Sequence, residues 1–349
     1  MPGRVVSRRF IGREAELARV VDAVTAAASG AATTVIVSGS AGMGVTRFLD
    51  EALDRVSGRP QPPMVLRGQS RGPVDPPWAA VLDAIAPLLA DRPDAELDAL
   101  LARDGRPILL GLPGMVERAQ HVPGPRASDL ADPERRQPRA LESLLRWLGR
   151  VAAERPIVIV LEDLHAADAA TRSFATFVAR IARSERICLV LTFQPDQPDR
   201  LTLEHPLREN LAVIEAGLRP PVRIDLAPLA RREIAGLIEG IDGERPSASI
   251  VVLVAERSAG SPLVVEELVA ARRELRSATL TGSLADLVGA RLARRSPECR
   301  RVLRLLAPAE RPMDRTRLAR AAAEMEAKPT RGLPPRSTSL PRRRTGGLD

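Results

Sequence analysis

The sequence predicts a three-layer α/β fold with a parallel sheet, followed by a region built only of helices. Three observations carry this expectation. Short apolar runs rich in Val and Ile alternate with amphipathic segments of helix length. One of these runs, Val35–Ser38, ends in a glycine-spaced turn that opens straight into a helical pattern. From Ala230 to about Ala323 the strand signal fades and apolar residues recur only at i, i+3 and i+4.

In order, a helical pattern with Leu17, Val20, Val21 and Val24 leads to a small-residue loop at Ala26–Ala32. Val35–Ser38 is the first strand, Thr46–Val56 the first long helix, and Met64–Gly68 a strand ending in a Pro-rich turn. Trp78–Leu89 and Ala95–Ala102 read as helices. Ala102–Arg118 reads as a helical insert broken by Pro107 and Pro113, and His121–Pro138 as a mobile polar connection. Arg139–Glu154 is amphipathic and stopped by Pro156. Ile157–Leu161 and Ile187–Thr192 are continuous apolar runs of the kind found in buried parallel strands. The helix Ala169–Arg183 separates them, and Arg223–Leu226 supplies a last strand. The helices Ala230–Glu239, Ser247–Ser258, Pro262–Leu275, Leu284–Ala293 and Pro297–Leu306 follow.

Composition narrows the function classes. At 349 residues there is room for more than one core, and with 2% aromatics and no Tyr it must be built from Ala, Leu, Val and Ile. Cys188 and Cys299 make neither a disulfide framework nor a metal site, and a reducing cytoplasm is the expected setting. There is no apolar leader and no apolar run of membrane length, so no membrane partner is expected. The net charge of +8 is concentrated in the tail, where ten basic and four acidic residues from Arg311 onward give +6. The body is close to neutral and has no basic patch interleaved with aromatics to take nucleic acid.

Gly39-Ser40-Ala41-Gly42-Met43-Gly44-Val45-Thr46-Arg47 joins strand to helix. Spaced glycines let backbone N–H groups and a helix N-terminus converge on an anion, the phosphate-binding arrangement of a P-loop NTPase domain. Gly39, Gly44 and Thr46 fit G-x-x-x-x-G-K-[ST], with Thr46 placed to hold Mg2+ through its hydroxyl. Val45 stands where the lysine belongs, so the loop keeps its shape and lacks its main cation. The bland alternative is a turn between a core strand and a core helix. Glu162 and Asp163 end the buried strand after Ile157. In a nucleotide-binding sheet one such acid holds Mg2+ and the next activates water. Glu162 is assigned to the metal and Asp163 to the water, roles that the sequence leaves exchangeable. Thr192, ending the neighbouring strand, is a candidate sensor of a terminal phosphate. His165 is a weak metal candidate, having no second His or Cys nearby at ligand spacing; His121 and His205 carry no signal.

With these residues placed, the chain resembles the signal-transduction ATPases with numerous domains, a branch of the AAA+-like P-loop ATPases. It is most similar to the N-terminal ATPase region of the large ATP-binding regulators of the LuxR family. Phe10–Leu17 resembles the F-[VI]-G-R-E-x-E-L opening, Gly39–Arg47 the phosphate loop and Leu161–Asp168 the L-D-D-L-H-W-A-D segment. Ile224–Leu229 resembles the L-x-P-L entry to a helical lid, and Arg257–Leu268 the G-N-P-[LF]-[FY]-x-x-E-L motif. The resemblance implies an α/β NTPase domain over 1–228, a helical lid over 229–282 and a partial winged-helix module over 283–327; the composition of 328–349, almost without apolar residues, reads as a disordered basic tail. It implies an ATP/ADP switch with Mg2+ in which Gly260 and Pro262 approach the adenine. It also implies protein regulators or a second copy of the chain as partners. A DNA-binding domain is not expected here, and the tail reads equally as a truncated or frameshifted product, a naturally short form, or a plain disordered terminus. Departures cluster at the chemistry: Val45 for the lysine, Ala166 for the Trp, Gln194 for the arginine after the sensor strand. Weak binding and slow or absent hydrolysis are therefore expected.

Overall fold

The computed structural model describes Ser7 and residues 9–72, 75–90, 133–195 and 205–275, with 289, 292 and 296–306 further on. Residues 1–289 form one compact unit and 290–349 a second. In the first unit α1 (Glu14–Ala28), β1 (Thr33–Ser38), α2 (Val45–Ser57), β2 (Met64–Gln69) and α3 (Ala79–Ala90) come in turn. They are followed by α4 (Pro133–Glu154), β3 (Ile157–Glu162), a 3-10 turn (Leu164–Ala166), α5 (Ala169–Ile181), β4 (Ile187–Phe193), α6 (Pro206–Glu215) and β5 (Val222–Asp225). Helices α7 (Arg231–Asp242), α8 (Ala248–Ser258) and α9 (Pro262–Leu275) close the unit. In the second unit the described helix is α10 (Pro297–Leu306).

The five strands form one wholly parallel sheet in the order β2-β3-β4-β1-β5. Its two faces follow from the two-residue period of extended backbone. Val35, Val37, Val158, Val160, Cys188, Val190 and Ile224 pack against α1 and α2 on one face. Ile36, Ile157, Ile159, Leu161, Leu189 and Leu191 pack against α3, α4, α5 and α6 on the other. Both faces of β3 and β4 are covered, so these strands read as unbroken apolar runs, as expected for a buried parallel sheet, while the edge strands β2 and β5 are partly exposed. Helices α7, α8 and α9 have their own core around Ile234, Leu237, Ile238, Val254, Val265 and Leu268.

Some elements depart from the sequence expectation. Helix α4 starts at Pro133, so 133–138, read as connection, is helical. Pro is tolerated at a first helical position, where its missing N–H has no intrahelical acceptor. Helix α3 runs through Pro87. Helix α6 was not expected; Pro206 opens it and the His205 Nδ1 accepts the Leu207 N–H at 3.1 Å, so His205 is a cap. The expected helices between 95 and 118, the connection 121–132, most of 284–293 and the tail from Lys328 lie outside the described residues. Among the described residues no helix is long and apolar enough to cross a membrane.

Candidate functional site

The glycine loop sits at the carboxyl end of β1, between β4 and β5, where a parallel sheet offers its ligand crevice. Gly42 (φ 84°) and Gly44 (φ 78°) take left-handed backbone, which explains glycine at both positions. Gly44 is the N-cap of α2, and its carbonyl accepts the Phe48 N–H at 2.9 Å. The first turn of α2 therefore points its free N–H groups at the space above the loop.

That space is a cavity of about 410 Å3, a size in the range of small-ligand sites. The loop side of its wall is Ser40, Gly42, Gly44, Val45, Thr46 and Arg47. The strand side includes Asp163, Thr192 and Gln194, and α9 contributes Pro262, Leu263 and Glu266. The glycine turn and the acidic strand end thus meet across one cleft. Of the sequence candidates, Gly39, Ala41, Met43, Glu162 and Gly260 are not on this wall. A Cβ on Gly39 would come within 3.0 Å of the Val45 side chain. Met43 faces a smaller recess with Phe10, Ile11, Leu229, Leu237 and Pro262. The Gly260 carbonyl accepts the Leu229 N–H at 2.8 Å, in a contact too close for any Cβ.

The two carboxylates differ in environment. Glu162 lies on the α2 face of β3, 5% exposed, and pairs with the Arg67 Nε of β2 at 2.5 Å. Arg67 Nη1 also reaches Asp50 of α2 at 2.6 Å. The hydrogen bond to Glu162 is the main reason the Arg67 guanidinium holds its proton more tightly than an ordinary arginine. Asp163 instead faces the cavity. Its backbone is left-handed (φ 55°), its N–H donates to Thr192 Oγ1 at 3.0 Å, and its carboxylate accepts from Gln69 Nε2 at 2.9 Å. The Thr192 hydroxyl is therefore a brace for Asp163 as well as part of the wall. His165 is buried, and its Nδ1 accepts the Gln194 N–H at 3.3 Å, tying the turn to the end of β4. Asp168 caps α5 by accepting from Thr171 N at 2.9 Å and also takes the Trp78 N–H at 3.0 Å.

Two arginines stand near the gap left by Val45. Arg47 is committed elsewhere: Nη1 meets Glu266 at 2.9 Å, and Nη2 donates to the carbonyls of Ser7 and Arg9. Arg13, which the sequence reading left without a role, is 8% exposed, and its Nε has no hydrogen-bond partner among the described residues. Its Nη1 lies 3.8 Å from where a Cβ on Gly44 would stand. Burial pushes the Arg13 pKa down, against the carboxylates of Glu16 and Glu233. The signal for Arg13 in the sequence was the Phe10–Leu17 segment, whose order alone said nothing of burial.

Against known proteins, the family described as AAA ATPase domain matches residues 9–190, more than half of the chain. No curated protein matches it. Among solved structures, the chain is similar to a Signal Transduction ATPase with Numerous Domains bearing a tetratricopeptide repeat sensor, from Pyrococcus horikoshii. That match has a TM-score of 0.51 at 12% identity and covers 90% of this chain and 38% of the other. A Walker-type ATPase of Pyrococcus abyssi matches with a TM-score of 0.50 at 12% identity, covering 91% of this chain and 90% of that one. The chain spans well under half the length of the first of these. At such identity the likeness is one of fold.

Proposed function

Because the chain belongs to the AAA ATPase domain family, we propose that the cavity above Gly44 binds ATP or ADP with Mg2+ and acts as a regulatory switch. The observation that carries this is the meeting of loop and acid: the N-terminus of α2 and the Asp163 carboxylate line one cavity. The residues present fit a Mg-nucleotide. Thr46 offers a hydroxyl on the cavity wall and Asp163 a carboxylate, both hard oxygen donors of the kind Mg2+ takes. Asp163 takes the metal-facing part first given to Glu162, which is engaged with Arg67. Bound Mg2+ would supply positive charge to the phosphates. The α2 N–H groups would cradle those phosphates, and Pro262 on the same wall would lie toward the base.

Hydrolysis is proposed to be slow or absent, since Val45 and Gln194 leave the phosphate site short of two cations. The relation to LuxR-type regulators, and helices α7 to α9 acting as a lid, belong to the same proposal. A second reading, an active ATPase with a compensating arginine, is favoured by one observation: the buried, partly unpartnered guanidinium of Arg13 beside Gly44. Arg47 is not that arginine, because its Nη1 and Nη2 are engaged with Glu266 and the carbonyls of Ser7 and Arg9.

A thermal-shift series with Mg-ATP, Mg-ADP and no ligand tests the binding, since a ligand of the folded state raises the melting temperature. Phosphate release measured on the same samples tests the chemistry. Binding without turnover is expected. Turnover near 1 s−1 or faster would favour the second reading, and no shift at millimolar nucleotide would leave a scaffold that acts through its helices.

A further inference from the structure

We propose that Arg47 is a positioning residue that latches α9 and the N-terminal segment over the phosphate loop and so gates nucleotide entry and exit. The proposal rests on the nucleotide-site reading and adds its regulation.

Three parts of the chain converge on this one guanidinium. Arg47 lies in the first turn of α2. Its Nη1 pairs with Glu266 of α9, 219 residues away, at 2.9 Å. Its Nη2 donates to the Arg9 carbonyl at 3.0 Å and to that of Ser7. The Glu266 side chain is only 7% exposed, so one partner of the pair is shielded from water and salt.

The same closure is made at the crest of the loop. The Leu263 N–H and the Ser261 hydroxyl both donate to the Gly42 carbonyl, each at 3.3 Å. A Cβ on Gly42 would come within 2.9 Å of Ser261 Oγ, so the turn into α9 rests directly on the loop. Pro262, Leu263 and Glu266 make up the α9 side of the cavity wall. Among the described residues, that wall belongs to a helical group with its own core, separate from the two cores of the sheet. A shift of α9 together with its neighbours α7 and α8 would therefore widen the cavity. The two hydrogen bonds to Gly42 are long, whereas the Arg47–Glu266 pair is a short, charge-assisted contact.

A closed latch slows a phosphate's arrival at the N-terminus of α2 and its departure alike, so opening it changes both rates more than the affinity. This gives Arg47 a role distinct from the missing lysine: it holds the cavity wall and not the ligand.

The test is stopped-flow binding of a fluorescent ADP analogue with Mg2+ to the full chain. In Glu266→Gln, association and dissociation rate constants should both rise about tenfold, with Kd moving less than about threefold. An unchanged association rate overturns the latch, even if dissociation quickens, because Glu266 would then only steady the bound state. Arg47→Lys keeps the ion pair and gives up the two carbonyl contacts. It should give a smaller rise in both constants, and wild-type rates in this variant likewise overturn the latch. Should wild-type protein bind no analogue, the nucleotide site itself falls and the latch with it. Wild-type binding with unmoved variant rates removes the latch alone.

Discussion

Restoring the lysine is the perturbation whose size can be worked furthest. Val45 is half-buried on the cavity wall and packs against the core on the α2 face. A lysine there can lay its methylenes along the same apolar surface and carry its ammonium to the phosphates. Opposite charges about 4 Å apart gain about 4 kcal/mol at an effective dielectric near 20. Desolvation of the ammonium removes roughly half of this, leaving about 2 kcal/mol, or about 30-fold in Kd. The gain should be larger for metal-free ATP. The wall carries Asp50, Asp163 and Glu266 against Arg47, so without Mg2+ the added lysine faces the full charge of the phosphates. Titration calorimetry of Val45→Lys with ATP, with and without Mg2+, reads both effects. An affinity equal to wild type in both conditions would refute the reasoning, since the missing charge would then not limit binding.

Other perturbations follow from particular contacts. Arg13→Met replaces a buried guanidinium whose Nε lacks a partner among the described residues, so ligand-free stability should hold or rise. If Arg13 is the compensating cation, Mg-ATP affinity should fall about tenfold or more; thermal scans with and without Mg-ATP separate the two effects. Gly68→Ala puts a Cβ into the Ala80 carbonyl at the junction of β2 and α3. It should cost about 3 kcal/mol or more by urea unfolding, and a cost under about 0.5 kcal/mol would contradict that junction. Burial pushes the Cys188 thiol up to about 12, so below that pH it stays protonated as well as covered. An aromatic disulfide reagent at pH 8 should label Cys299 readily and Cys188 only after denaturant is added.

The alternation of apolar runs and amphipathic segments made the layered architecture legible, because the central strands β3 and β4 are buried on both faces. Strand order was not legible: β4 lies between β3 and β1, an outcome of helix packing that no strand announces. Helix α6 escaped notice because its start is signalled only by a His cap and Pro206. Around the site, Gly42, Gly44 and Thr46 could be placed from spacing, since φ at Gly42 and Gly44 admits little else. The different environments of Glu162 and Asp163 could not. They depend on Arg67, a residue on β2 whose neighbours are set by sheet register rather than by any motif. The commitment of Arg47 and the isolation of Arg13 Nε are likewise long-range facts, made by segments far apart in the chain.

The central claim is that loop and acid form one nucleotide site, and titration calorimetry with Mg-ADP addresses it most directly. Wild-type protein should bind one nucleotide per chain, and the double variant Thr46→Ala/Asp163→Ala should lose most of that affinity while keeping its fold. Absence of heat from the wild type at millimolar Mg-ADP would contradict the account. So would a variant that binds as tightly as its parent.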